Sequence, residues 1–263
     1  MNTFISTIMD KLCQTELGLR IFLRAANSLN WHLAKAQSDI ICKISPDLKI
    51  TDGPFKGMIY HNTPALTSVS VAKFTGSYEK ELHPILEICF KYDYSTVINI
   101  GCGEGYYAVG SALRLPKAQI FAFDLSLDLG EQCKSTAKAN GVEHRFHVFG
   151  ACTPNSLQII PDTGRSIILC DCEGAEFDIL LPENIPFFKY DILVETHDTP
   201  PSLKIITALQ ERFSKSHKIV SIVDKDRDIS AFPVLTNLTS GERWLALTEF
   251  RPFHMTWLWL EAK

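Results

Sequence analysis

The chain has 263 residues, 46% of them apolar and 21% charged, and a formal net charge of −4. That balance belongs to a folded globular protein, and the length allows one large domain with a substantial core. A net-negative chain without a Lys/Arg run is excluded from broad non-specific nucleic-acid binding, which depends on releasing phosphate counterions.

The opening residues, MNTFISTIMDKLCQTELG, carry no basic stretch, and Asp10 and Lys11 interrupt their apolar run, so no secretory signal is expected. No run approaches the ~20 apolar residues of a membrane span. The expectation is a cytoplasmic protein without stable membrane insertion, and the sequon Asn237-Leu238-Thr239 is set aside on that ground. The cysteines at 13, 42, 89, 102, 133, 152, 170 and 172 include no CxxC pair. They are expected to be buried free thiols, and Cys170 and Cys172, two apart on a strand, do not by themselves make a zinc site.

In chain order, residues 1 to about 45 predict helix. Phe4, Ile5, Ile8, Met9 and Leu12, then Leu19, Phe22, Leu23 and Ala26, recur at three-to-four spacing. Such an amphipathic start, lacking a basic face, is expected to pack on the core or on a second copy in a homodimer. Ser45-Pro46-Asp47 and Asp52-Gly53-Pro54 punctuate, and "GPFKGMIYHNTP" predicts a short hairpin or extended arm. Residues 1–74 thus form an extension. From about Ser77 helices and strands alternate: a helical face at Leu82, Ile85, Leu86 and Phe90, a strand at Thr96–Ile100 and a helix at Tyr106–Leu115. A strand at Gln119–Phe123, a helix from Leu127 to Asn140 closed by Gly141, and a strand at Arg145–Phe149 follow. Then come strands at Ser166–Leu169, Asp191–Glu195, Ile219–Val223 and Met255–Glu261, with helices at Glu176–Leu180 and Leu203–Phe213. Trp257 and Trp259 alternate as core residues of the last strand. The pattern predicts a doubly wound, mostly parallel α/β sheet with helices on both faces, over residues 75–263.

In such folds ligands bind at the carboxyl ends of strands. "VINIGCGEGYY" places glycines at 101, 103 and 105 after the first strand, a GxGxG with Tyr106 where the dinucleotide fingerprint continues. Glu104 sets a carboxylate where a pyrophosphate would be repelled, and no GKS or GKT is present. Asp124, ending "FAFD", stands where a carboxylate accepts hydrogen bonds from both hydroxyls of a ribose. Glycines without a phosphate site and an acidic second-strand end point together to S-adenosylmethionine. After the fourth strand, "LCDCEGAEFDILL" presents Asp171, Glu173 and Glu176, the latter two suited to a helix N-terminus. "LVETHD" sends Glu195 and His197 to the same rim by alternation.

At these residues the chain resembles the FkbM family of S-adenosylmethionine-dependent methyltransferases. The resemblance rests on Gly101 to Tyr107, Asp124, Asn140-Gly141, and the signature formed by Asp171, Glu173, Gly174 and Glu176. It covers roughly residues 75 to 200. It implies a Rossmann-like methyltransferase that acts on a hydroxyl of a sugar, glycan or secondary metabolite. Cofactor contacts are then expected from Asn99, Gly101, Cys102, Gly103, Glu104, Gly105, Tyr106, Asp124, Leu125 and Asp171. "TGSYEKEL" implies substrate contacts at Tyr78 and Glu79, joined by Glu173. One departure is Asn99, where related enzymes carry an acid; Glu104 is a candidate for the missing charge.

An alcohol is a poor nucleophile at neutral pH, so O-methylation needs a base or a metal. The expected catalytic residues are Asp171, His197 and Glu195, with His197 as base. The same three form a chemically reasonable set for a divalent metal, which is nonetheless not expected. Two rival functions remain: an S-adenosylmethionine-binding module or partner subunit without catalysis, motivated by Asn99, and a nicotinamide-dependent oxidoreductase, disfavoured by GxGxG and Glu104.

Overall fold

A computed structural model of the chain describes residues 15–62, 70–161, 163–182, 189–199, 201–251 and 253–263. The expected apolar positions Phe4 to Leu12 lie outside the described residues. A long helix, α1 (Glu16–Ile44), leads into the predicted hairpin, closed by a bridge between Lys49 and Ile59. Ile50, Phe55, Met58 and Tyr60 of that hairpin are buried in the same apolar cluster as the sheet. Phe55 lies so close to the helix at 106–114 that a Cβ on Gly110 would meet its ring at 2.3 Å. The hairpin is therefore built into the core, and Asn140 clamps it, accepting from the Ile59 N–H and donating to its carbonyl.

Among the described residues seven strands form one sheet: β1 (Thr96–Ile100), β2 (Gln119–Phe123), β3 (Phe146–Phe149), β4 (Ser166–Cys170), β5 (Tyr190–Thr196), β6 (His217–Val223) and β7 (Thr256–Ala262). Their order is β3-β2-β1-β4-β5-β7-β6. All pairs are parallel except those of β7, which runs antiparallel between β5 and β6. β1, β4 and β5 are buried along their whole length, as their β-branched runs require of strands covered on both faces. Val97, Ile167, Leu193 and Trp257 pack on one face and Ile98, Ile168, Ile192 and Leu258 on the other, the period-two alternation of a strand. Trp257 and Trp259 are core residues, as their alternation predicts.

The helices are α2 (Ser70–Thr75), α3 (His83–Cys89), α4 (Tyr106–Arg114), α5 (Leu127–Ala139), α6 (Pro154–Gln158), α7 (Glu176–Ile179), α8 (Lys204–Phe213) and α9 (Ser240–Leu247). Gly141 takes a φ of 68° just past α5, the stop its sequence predicts. α6 and α9 are not signalled by apolar periodicity. Each is started instead by a capping box, Thr153 with Ser156 and Thr239 with Glu242. This is a doubly wound, Rossmann-like α/β fold. No described helix is long and apolar enough to cross a membrane.

The chain turns back at β1: β2 and β3 lie to one side, β4 and β5 to the other. Ile100 is level with Phe123 and with Cys170, and Cys170 with Val194, so the strand ends line up. Gly101, Asp124, Asp171 and Glu195 thus surround one crevice at the switch point. At the opposite end of the sheet, fully buried Asp191 accepts from Tyr94 Oη at 2.6 Å, Arg165 Nε at 2.8 Å and the Ala262 N–H at 2.9 Å. Asp191→Ala leaves those donors without their acceptor. It is expected to cost about 3 kcal/mol in urea unfolding, the lower end for a broken buried pair because Arg165 is part-exposed. An unchanged midpoint would show that this anchor does not hold β5 to its neighbours.

Candidate active site

The glycine turn is shaped by what presses on it. Gly101 has a φ of 77°, and a Cβ there would lie 1.6 Å from the Asp171 carbonyl oxygen, so no other residue fits. The Gly101 and Cys102 N–H groups both donate to the Phe123 carbonyl at 2.9 Å. Gly105, with φ 104°, opens α4 against Val109 and Cys133. Gly103 differs: a Cβ on it would meet nothing within 4 Å, so its backbone faces open space. Asp124 ties this turn to the next strand. Its Oδ2 accepts from the Gly103 N–H and its Oδ1 from the Ser126 N–H, each at 2.8 Å.

Glu104, only 4% exposed, is bound by Lys73 of α2 at 2.5 Å, and the ammonium lies over the rings of Tyr78 and Tyr106. The repulsion expected between Glu104 and a pyrophosphate is thereby corrected: the carboxylate is neutralised by a partner from a segment 31 residues away. The same pair removes Glu104 as the charge that replaces an acid at position 99. Asn99 itself is buried within β1, donates to the Leu169 carbonyl at 3.1 Å, and does not line the crevice.

Across the crevice stands His197, just past β5. Its Nδ1 and its backbone N–H both lie 2.9 Å from Glu176 Oε1. Glu176, fully buried, uses its other oxygen to accept from the Gly174 N–H at 2.9 Å. Burial pushes this carboxyl up, but the His197 hydrogen bond and charge outweigh it and hold it below its ordinary range. His197 Nε2 is left facing Asp171 Oδ1 at 3.4 Å, Glu195 Oε2 at 3.5 Å and Glu173 Oε2 at 3.6 Å. Burial, then the Glu195 charge, raise the Asp171 carboxyl well above the usual carboxylate range. Burial alone would lower His197, yet the Glu176 hydrogen bond and the carboxylates around it raise it. These groups hold protons as one unit.

Behind them lies a buried chain of ions. Arg251 joins Glu195, Glu79 at 2.7 Å and Glu249 at 3.1 Å. Arg227 joins Glu249 at 2.5 Å and Glu81 at 2.8 Å. Glu79, held also by Tyr107 Oη, is pushed up by burial and by Glu195 despite Arg251.

The crevice encloses about 930 Å³. Of the expected cofactor residues, Gly101, Cys102, Gly103 and Glu104 line it from the turn, and so do Tyr106, Asp124 and Leu125. Asp171, Glu195 and His197, expected to be catalytic, line its other wall, with Tyr78 and Glu173. Gly105 and Glu79 stand behind the lining. Sequence reasoning missed Glu176 as the holder of His197, although its spacing in "EGAE" carries that signal. Lys73, Arg227, Glu249 and Arg251 it also missed, and no local pattern marks them.

No family model matches the chain. The release factor glutamine methyltransferase of Chlorobaculum tepidum is 30% identical over 105 residues, 39% of this chain and 32% of that protein. The chain thus spans about a third of the length of this curated relative. Among solved structures, precorrin-6y C5,15-methyltransferase from Geobacter metallireducens has a TM-score of 0.47 at 13% identity, over 71% of this chain and 90% of the other. The O-methyltransferase TomG from Streptomyces achromogenes, involved in tomaymycin synthesis and solved in complex with SAM, has a TM-score of 0.42 at 12% identity, over 67% and 77%.

Lys73→Ala strands the Glu104 carboxylate in a buried site and is expected to cost about 3–5 kcal/mol in chemical denaturation. Adding Glu104→Gln to the same chain should recover most of that loss. A double variant no more stable than the single one would show that packing of the Lys73 stem, not its charge, is what matters.

Proposed function

We propose that the chain is an S-adenosylmethionine-dependent methyltransferase of the FkbM kind, methylating a hydroxyl of a sugar, glycan or secondary metabolite. The observation that carries this reading is the switch-point crevice, where a glycine turn open at Gly103 and a strand-end carboxylate face an imidazole held by a buried acid. The motif resemblance at Asp171, Glu173, Gly174 and Glu176 and the partial match to a methyltransferase support it.

The residues suit an adenosyl cofactor. Each Asp124 oxygen takes one backbone N–H at 2.8 Å and keeps lone-pair capacity for a ribose hydroxyl. The open backbone at Gly103 leaves room for close approach. Lys73, a cation on the crevice wall that a pyrophosphate would need, is committed to Glu104. That commitment now carries the case against a dinucleotide, in place of charge repulsion. When bound, the cofactor supplies a methyl group already activated on a sulfonium.

The chain's own residues do the rest. Asp124 holds the sugar, and the turn fixes the distance to the opposite wall. The carboxyl groups of Asp171, Glu173 and Glu195 make that wall acidic, which favours a cationic centre nearby. Tyr78 and Phe253 offer apolar surface on which an acceptor ring packs. Activation of the acceptor hydroxyl falls to the groups around His197 Nε2, and Glu176 orients the ring and stabilises positive charge on it.

Asp124→Ala should weaken binding of S-adenosylhomocysteine by about 1–3 kcal/mol in calorimetry, the scale of lost hydrogen bonds to a charged group. Equal affinity would overturn the ribose assignment. His197→Ala should keep that affinity while slowing methyl transfer to a panel of sugar and phenol acceptors ~10²-fold or more. A variant of full activity would take His197 out of the chemistry.

A further inference from the structure

The sequence offers a metal as an unexpected option; the arrangement around His197 changes that. Three carboxylate oxygens, two from the loop after β4 and one from the end of β5, converge on one imidazole nitrogen: Asp171 Oδ1 at 3.4 Å, Glu173 Oε2 at 3.6 Å and Glu195 Oε2 at 3.5 Å. These separations exceed the ~2.7–3.2 Å of a hydrogen bond. They match the distance between two ligands that share one cation: bonds of ~2.0–2.1 Å at a tetrahedral angle set neighbouring ligand atoms about 3.4 Å apart.

The second nitrogen points the same way. Nδ1 is taken by Glu176, a wholly buried carboxylate 2.9 Å away. An acid on the far nitrogen fixes the ring and turns the other nitrogen toward the crevice, the arrangement by which proteins orient metal-binding histidines. Glu195 is 4% exposed, and while its Oε1 is held by Arg251, its Oε2 has no hydrogen-bond donor among the described residues. Asp171 has that Glu195 carboxyl as its side-chain hydrogen-bond neighbour, and no N–H among the described residues donates a hydrogen bond to its carboxyl oxygens.

Among the described residues, two overlapping sets of groups lie close enough to hold an ion: Asp171, Glu173 and His197, and Glu79, Asp171 and Glu195. The second already has its cation, because the Arg251 guanidinium bridges Glu79 and Glu195. The first set has no arginine or lysine bound to it among the described residues. Cys172, which also lines the crevice, directs its thiol to Glu176 and adds no sulfur ligand.

We propose that His197 Nε2, Asp171 and Glu173 bind a divalent first-row transition cation such as Mn²⁺, Fe²⁺ or Zn²⁺. Glu195 closes its inner side and Glu176 acts as the outer partner of the imidazole. One imidazole among carboxylates favours these ions over Mg²⁺ and Ca²⁺, which take oxygen alone. The site opens to the crevice, so it keeps positions for acceptor oxygens. In the methyltransferase reading, on which this role rests, a bound hydroxyl would lose its proton more readily there.

The test uses the full chain, stripped with EDTA and dialysed. Mn²⁺ is titrated by calorimetry and by loss of its free EPR signal, and S-adenosylhomocysteine is titrated separately. The expected result is one saturable Mn²⁺ site, weakened at least tenfold by His197→Ala and by Asp171→Asn. Glu173→Gln, at a side chain 90% exposed whose replacement does not threaten folding, should weaken it as well. Glu176→Gln should weaken it ~10- to 100-fold through the imidazole. No saturable Mn²⁺ binding, or equal binding in wild type and Glu173→Gln, would overturn the site. Binding of S-adenosylhomocysteine is read independently, so its presence without Mn²⁺ sinks only the metal, and its absence with Mn²⁺ sinks only the cofactor.

Discussion

The contact on which the site depends is the one between Gly101 and the Asp171 carbonyl. Because Gly101 has no Cβ, the backbone of the β4 loop closes onto the turn after β1, with the Asp171 N–H donating to the Ile100 carbonyl at 2.9 Å. The register of β1 with β2 and β4 carries this closeness to both sides. The two walls of the crevice are therefore one rigid piece of sheet rather than two loops that must find each other. A side chain at 101 would separate them and move Asp124 and His197 apart.

The second constraint is electrostatic. Glu79, Glu195 and Glu249 crowd into a space where burial opposes charge, and Arg251 and Arg227 make that crowding tolerable. Truncating either arginine would leave carboxylates buried without countercharge, a heavier loss than that of an exposed pair. The network joins the loop before α3, the end of β5 and the segment leading to β7, pieces far apart in sequence. It forms the floor under Asp171 and His197. The floor is satisfied by guanidinium groups, while Asp171 and Glu173 above it have no arginine or lysine partner among the described residues.

Much of this was legible in the sequence because it is local. The strands were found by β-branched runs, the turn by glycine spacing, and Asp124, Asp171, Glu195 and His197 by their places at or just past strand ends. Alternation also placed Trp257 and Trp259 in the core. The sequence hid what depends on distant partners. Glu104 looked like an uncompensated charge because nothing near it marks Lys73. Glu176 looked like a helix-dipole residue, and its bond to His197 exists only once β4 and β5 lie side by side. Arg251 sits in "TEFRPF", a stretch without any period. α6 and α9 were missed because caps rather than an apolar face define them.

The departure at Asn99 takes on meaning from the same geometry. Its Nδ2 serves the Leu169 carbonyl, and its Oδ1, buried, has no partner. A carboxylate there would be both buried and without a donor, so a neutral amide is the less costly occupant of this β1. Glu104 is no substitute, since its charge is cancelled by Lys73. The carboxylates still facing the crevice without a full countercharge belong to the opposite wall, on the β4 and β5 ends. Any positive centre that enters, whether a sulfonium or a metal ion, is therefore drawn toward the acidic groups of the far wall, Asp171, Glu173 and Glu195, not toward the glycine turn. In this chain the turn supplies shape and the far wall supplies charge.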